Sequence, residues 1–366
     1  MTLNRRQLLK AAALATLAPS ALAATEPHLL QLGGYPLNAE TPLELLTDYL
    51  TPVELFFVRS HWIPRMPDPK TWRLTVGAKQ FSMAELKKLP RAEATCVLQC
   101  AGNGRGLQQP VLPGVQWQYG AVGNARWSGV RVRDVLAAAG VKGGKHLHLF
   151  GSDDPPGKVP PFHRSIEMEK ALGDCILAFE MNGKPLPPQH GAPLRMVVPG
   201  WAGDHWMKWL VRMTPANEPQ KGFFMDTAYR WPLQPGAPGV TFKPEEMKPV
   251  TEMFVKSNIT TAPKKTRKGV AADIRGFAFS GAPDIAKVEV SDDDGKTWQR
   301  AQLDPRHAPH AWRLWHVRWT PKRTGHVTLL ARATDSRGTV QPRTAVWNQS
   351  GYLYNAWHAV EVEVTA

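Results

Sequence analysis

The sequence predicts an α+β domain built on mixed sheets, followed by a β-sandwich, and three observations carry that expectation. Between about residues 27 and 240, short apolar runs alternate with few helical patterns, separated by loops rich in Pro and Gly. After Pro232 the pattern shifts to two-residue alternation broken by tight turns, with little helix. The chain also carries 33 prolines in 366 residues, nearly double the usual ~5%, which favours sheet and ordered loops over a helical bundle. With 43% hydrophobic residues and 14 tryptophans the chain can bury a core, and its length suits about two domains. This composition excludes a linker protein, a collagen, a coiled coil and a multi-pass membrane protein.

Taken in order, the chain opens with Asn4-Arg5-Arg6-Gln7-Leu8-Leu9-Lys10, a basic segment ahead of an apolar run that ends in Ala21-Leu22-Ala23. Paired arginines, a short apolar stretch and a small-residue cleavage site read as a twin-arginine export signal over residues 1–23, too short to span a bilayer. That places the mature protein in the periplasm. Residues 55–58, 147–150 and 195–198 read as strands of a domain covering 27–240, and 132–139 as a helix capped by Gly140. Residues 234–249 read as a Pro-rich linker. In the sandwich, placed at 245–366, residues 286–290 alternate, 292–295 form a turn and 297–303 return as a partner strand. Residues 326–334 and 358–364 alternate again. The basic run Lys264, Lys265, Arg267, Lys268 reads as a solvated loop.

The formal net charge is +14. No RNP-like aromatic run, zinc-finger spacing or basic helix accompanies it, so it points to a small anionic substrate or an acidic protein partner and not to nucleic acid. The three cysteines, Cys96, Cys100 and Cys175, are an odd number. In an oxidising compartment this leaves at least one thiol free or bound to something.

Four segments of the first domain hold polar residues that a plain core would not need. Phe56-Phe57-Val58-Arg59-Ser60-His61 sets an Arg and a His at a strand end. Val97-Leu98-Gln99-Cys100-Ala101-Gly102-Asn103-Gly104-Arg105 sets a thiol before a glycine-rich turn and a further Arg. His190-Gly191-Ala192-Pro193-Leu194-Arg195 and Pro199-Gly200-Trp201 flank an apolar strand, and Gly203-Asp204-His205-Trp206-Met207-Lys208-Trp209-Leu210 adds a further basic residue. Singly, each has an ordinary reading: Cys100 as a small buried hydrophobe, His61 or His190 as a satisfied core imidazole.

Together they resemble the sulfite oxidase family of molybdenum–molybdopterin oxidoreductases, in its bacterial periplasmic sulfite dehydrogenase form. The match runs through V-R-x-H, L-Q-C-A-G-N, A-R-W-x-G-V at 125–130, M-N-G-x-P-L-P at 181–187, H-G-x-P-x-R, K-W-L and G-x-x-x-N-A-W-H at 351–358. The resemblance implies a sulfite-oxidase-type pterin domain followed by an immunoglobulin-like dimerisation domain, and hence a homodimer. It implies that Cys100 is the thiolate on molybdenum, a soft anionic sulfur suited to that metal. Phe57, Val58, His61, Asp153, His190, Arg195, Gly203 and Lys208 would hold the cofactor, with the cations and donors on its phosphate. Arg59, Arg105, Trp127 and Tyr229 would form the substrate side, arginine gripping an oxyanion with its planar fork.

The implied reaction is oxygen-atom transfer, sulfite to sulfate. The chain carries no haem, flavin or nicotinamide signature, so its electrons are expected to pass to a separate c-type cytochrome. A sulfane dehydrogenase subunit of a thiosulfate-oxidising system is the alternative. A sulfoxide-type reductase lacks the sandwich, and a binding protein without metal would not need this constellation. Two departures stand out: Ala359 follows N-A-W-H where the family has Arg, and Gly203-Asp204-His205 replaces G-A-R. Both predict an anion pocket with fewer positive charges.

Overall fold

The computed structural model describes residues 29–366 except 35, 63–65, 154 and 156. The expected export signal at 1–23 lies outside the described residues. Among these residues no helix is long and apolar enough to cross a membrane.

Two sheets organise the first domain. One is antiparallel and ordered Lys184–Pro185, Ile176–Met181, Val122–Arg131, Arg91–Gln99, with Arg195–Val197 also on Ile176–Met181. The other runs Lys79–Phe81, Leu74–Val76, Leu210–Ala216, His146–Gly151, His163–Glu167. It is mixed, because Leu74–Val76 lies parallel to Leu210–Ala216 while its other pairs are antiparallel. Both bury apolar faces in one core that includes Trp117, Trp127, Leu149, Leu177 and Val197. Ile176–Met181 is apolar at every position but Glu180, and five of its six residues are buried. The helix Val132–Ala138 forms as its spacing predicts, presenting Val132, Val135 and Leu136 to the core and leaving through Gly140 at φ 70°.

The second domain is a sandwich. A four-stranded sheet (Lys256–Thr261, Ala272–Phe279, Arg313–Trp319, Gln302–Leu303) faces a five-stranded one (Lys265–Arg267, His358–Thr365, Gly325–Asp335, Ile285–Ser291, Gln299–Arg300). Between them lie Ile274, Val288, Trp315, Leu329 and Val362, the inward half of each alternation.

Four local expectations change. Residues 55–58 are not one strand: a single 3-10 turn covers Val53–Leu55 after Pro52, and only Val58–Arg59 pairs, with Asn38–Glu40. The expected strand at 297–303 splits at buried Ala301, so that Gln299–Arg300 joins one sheet and Gln302–Leu303 the other. The basic run is no free loop, since Lys265–Arg267 adds a parallel edge strand beside His358–Thr365. Lysine and arginine are the residues that keep such an edge from pairing further. The 234–249 stretch carries structure as well, Met247–Pro249 pairing with Arg230–Pro232.

A third apolar cluster joins the domains through Trp62, Val97, Ala101, Phe224, Tyr229, Phe277, Trp312, Tyr352 and Leu353. Backbone hydrogen bonds cross with it: Val97 N–H donates to His310 O at 2.9 Å and Leu353 N–H to Ala101 O at 2.8 Å. Beside it lies a buried charged pocket. The Lys256 ammonium sits between the rings of Tyr119 and Tyr354, 5.4 and 5.6 Å from their centroids. It faces Glu40, whose carboxylate accepts from Gln118 N–H at 2.9 Å and Gly120 N–H at 3.3 Å.

Candidate active site

Antiparallel pairing carries Arg91–Gln99 into the core and delivers Cys100 at its end, where the chain turns back. Asn103 N–H donates to Cys100 O at 2.9 Å, and the side chain of Asn103 accepts from Ala121 N–H at 3.2 Å. Gly104 turns at φ 91°, and an added methyl there would strike Tyr354, its Cβ at 2.7 Å and its ring at 2.8 Å. The turn therefore needs a glycine both for its conformation and for its packing.

Cys100 opens into a partly enclosed cavity. Phe57, Arg59, His61, Asp153, His190, Arg195, Gly203, Lys208 and Tyr229 line the same cavity, so most of the residues expected from the sequence converge. Val58 is buried between its two lining neighbours and does not itself face the cavity. Gly203 lies where an added methyl would reach Leu98 at 2.8 Å and Gln99 O at 3.1 Å.

Its walls are basic. Arg195 is buried, donating from Nη1 to His190 O at 2.9 Å and from Nη2 to Trp206 O at 3.3 Å. Lys208 Nζ donates to Arg59 O at 2.8 Å and Gln189 O at 3.0 Å. Burial, the main cause, lowers the pKa of Arg195 to about 9 and that of Lys208 to about 7, the latter also pushed down by Arg195. The His190 imidazole is held neutral: burial and then the charges of Arg195 and Lys208 bring it to about 3, and its Nε2 has no hydrogen-bond partner. Cations that weaken one another, beside an unpaired buried ring nitrogen, fit an anionic polar group between them.

The thiol end differs. Burial pushes the Cys100 thiol up, against the pull of Arg59, the Gly102 N–H and Arg105. Tyr229 stands opposite, its hydroxyl and His61 Nε2 hydrogen-bonded at 2.9 Å. His61 stacks on Phe162 with centroids 4.3 Å apart and stays neutral, its pKa lowered well below the usual value by burial and by Arg59, Lys208 and Arg164. Burial likewise raises the Tyr229 phenol above its ordinary range. Both groups are therefore uncharged, and their shared hydrogen bond fixes the direction of the phenol.

Three expectations change here. Trp127 is fully buried and does not line the cavity; its ring lies 4.8 Å from the Arg195 guanidinium, so it packs against a cofactor-side cation. Arg105 does not line the cavity either. It stands behind the Cys100 turn, where Nε donates to Ser350 O at 2.8 Å and Nη1 to Val115 O at 3.1 Å. Ala359 is exposed on the sandwich strand His358–Thr365, opposite Leu330, so that departure does not reach the cavity.

The other departure does. Asp204 lines the cavity and pairs with Arg164 at 2.7 Å, both side chains fully buried. Arg164 Nη2 also approaches His205 Nε2 at 3.1 Å, Nη1 donates to Phe224 O, and its guanidinium lies 5.4 Å from the Tyr229 ring. Arg164 was missed. Strand periodicity could have found it, because it shares a face with buried Ile166 two residues on.

Fold and site define a two-domain molybdopterin oxidoreductase. Residues 60–224 match the oxidoreductase molybdopterin binding domain, and residues 247–365 the Mo-co oxidoreductase dimerisation domain. Mitochondrial sulfite oxidase of Rattus norvegicus is 38% identical over 90% of this chain, which spans only 64% of that protein. Sulfite oxidase of Arabidopsis thaliana is 32% identical, with 89% of this chain and 91% of that protein covered. Among solved structures, the sulfane dehydrogenase SoxCD of Paracoccus pantotrophus superposes with a TM-score of 0.78 at 30% identity, covering 91% of this chain and 86% of that one. The chain belongs to the sulfite oxidase family of molybdopterin oxidoreductases. Its cofactor is molybdenum–molybdopterin, and the residues fit that group. Cys100 offers the soft thiolate, while Arg195, Lys208 and the unpaired Nε2 of His190 offer the cations and the polar atom that the anionic end of the pterin requires.

Proposed function

We propose that this protein oxidises sulfite to sulfate in the periplasm as a homodimer and passes the electrons to a separate c-type cytochrome. The observation that carries the reading is one cavity that brings the Cys100 thiol together with Arg59 and the His61–Tyr229 pair. The molybdenum centre, when bound, supplies the two-electron change and the oxygen-atom transfer.

Arg59 is the cation placed to bind a small sulfur oxyanion, for its guanidinium lines the cavity and is braced by Asn38 Oδ1 at 3.2 Å. Arg105 supplies charge from behind the thiol turn without spending its own N–H groups on substrate. Tyr229 offers a hydroxyl to the substrate end, and neutral His61 orients that hydroxyl through their shared hydrogen bond. The aromatic wall of Phe162, Phe224 and Trp62 around His61 excludes water and strengthens each of these contacts.

Support for a sulfur oxyanion comes from the sulfite oxidases that match the chain, and support for a dimer from the dimerisation domain. The paired arginines near the N-terminus support export. A second reading, oxidation of a carrier-bound sulfane sulfur, is favoured by the likeness to SoxCD and by the Asp204 carboxylate, which sets a negative charge in a pocket meant for anions.

The test is turnover by the purified, metal-loaded protein with cytochrome c as acceptor, comparing sulfite with persulfide-bearing peptides. Sulfite-dependent cytochrome reduction establishes the first reading. Reduction by the persulfide alone establishes the second, and a molybdenum-loaded protein silent with both overturns each.

A further inference from the structure

We propose that Tyr352, carried by the sandwich domain, is a positioning residue that holds Tyr229 and Arg105 in their working arrangement. The proposal rests on the functional reading above. Tyr352 lies between the two: its ring stacks on Tyr229 with centroids 5.2 Å apart and planes within 13°, and the Arg105 guanidinium lies 5.3 Å from its centroid. Its hydroxyl accepts a hydrogen bond from Tyr229 N–H at 3.3 Å. One side chain thus touches the backbone and ring of the hydroxyl donor and the cation behind the thiol.

The contact matters because Tyr229 is held in an unfavourable conformation. Its φ of 55° lies in the left-handed region, which a bulky side chain enters only when its surroundings hold it there. Two hydrogen bonds do so, Tyr229 N–H to Tyr352 and Val250 N–H to Tyr229 O at 2.8 Å. Without the Tyr352 hydroxyl the buried N–H of Tyr229 loses its partner.

The loop that carries Tyr352 is itself fixed. Asn348 Nδ2 donates to Tyr352 O at 2.9 Å, while its Oδ1 accepts from Tyr352 N–H at 3.0 Å and Ser350 N–H at 3.3 Å. Gly351 turns at φ 62° against Arg105, where a methyl would meet Arg105 Cγ at 2.8 Å. Leu353 N–H then ties the loop to Ala101, next to Cys100, at 2.8 Å. The second domain therefore backs the substrate end of the cavity from outside its lining.

The test uses the metal-loaded protein and two variants. Tyr352→Phe keeps both ring contacts and removes only the hydroxyl; Tyr352→Leu removes all three. For Tyr352→Phe, kcat for sulfite falls about three- to tenfold while KM stays within about twofold, as expected for one hydrogen bond felt in the transition state. Amide exchange followed by mass spectrometry rises in the peptide containing Tyr229 and nowhere else. Tyr352→Leu loses more in kcat and raises KM as well, because Arg105 loses the ring it lies against.

A Tyr352→Phe protein with wild-type kcat and wild-type exchange at Tyr229 overturns the proposal. Losses that merely follow melting temperature and molybdenum content, with exchange rising throughout the chain, also overturn it. Should the wild-type protein fail to turn over sulfite, the functional reading falls, and local exchange at Tyr229 still decides whether Tyr352 places it.

Discussion

Cys100 and Cys175 carry the same side chain in unlike surroundings. All three cysteines are buried and free, yet only Cys100 faces the cavity and feels the pull of Arg59 and Arg105. Burial drives the thiols of Cys96 and Cys175 far above their ordinary value, so each behaves as a small apolar filler. Cys100→Ser is expected to leave a folded protein that retains pterin and loses nearly all sulfite turnover, since a hydroxyl is a harder, poorer metal ligand. Cys175→Ala should turn over sulfite at close to the wild-type rate. Steady-state rates per molybdenum in the two variants check this. Asp204 gives a prediction of opposite sign. Asp204→Asn removes a negative charge from the cavity wall and leaves the Arg164 cation behind, so sulfate inhibition should tighten about three- to tenfold. The same change weakens a buried ion pair and should cost about 1–3 kcal/mol of stability. Inhibition constants and urea midpoints read the two effects separately.

At the scale of elements, the central ladder between Ile176–Met181 and Val122–Arg131 is a demanding contact. Gly129 lies so close to its neighbour that an added Cβ would stand 1.8 Å from Leu177 O. Gly129→Ala is therefore expected to cost about 3 kcal/mol or more, because both groups in conflict are backbone and neither can rotate away. Gly173→Ala, where the methyl meets nothing within 4 Å, serves as the control and should shift the midpoint little. This ladder also shows what the sequence made legible. Strands 146–151, 285–291 and 325–335 were evident because they are covered on one face or both and their apolar residues repeat accordingly. The Lys265–Arg267 strand was hidden, since it pairs through its backbone while its side chains remain charged and exposed. His61, His190, Arg195 and Lys208 were legible because each stands in a local motif. Arg164 and Tyr352 were not read, because their meaning comes from distant partners, Asp204 at 40 residues from Arg164 and Tyr229 at 123 residues from Tyr352.

Across the whole molecule, buried ionisable groups tie stability to pH. Burial lowers His190 and His358 from 6.5 to about 3, so between those values the unfolded chain binds protons that the folded one refuses. Their contribution is complete above pH 6.5 and is lost as pH falls toward 3, each group adding a slope of up to ~1.4 kcal/mol per unit. His61 and His205 are lowered in the same direction. Glu40, raised to about 7 mainly by burial, works the other way between 4.5 and 7. The histidines outnumber it, and the melting temperature should fall steadily from pH 7 to pH 4. A flat profile by calorimetry over that range would show that these rings are protonated inside the fold.

The contact between Arg105 and Ser350 also sets an order of events during synthesis. These two residues are 245 positions apart, and the loop bearing Ser350 forms one wall behind the thiol turn. A ribosome that has finished the entire first domain has therefore made every residue that lines the cavity but not the loop that backs the thiol turn. The arrival of the 348–354 loop then braces Arg105 and Ala101, on either side of that turn. The second domain thus firms, late in synthesis, a site whose lining the first domain already supplies.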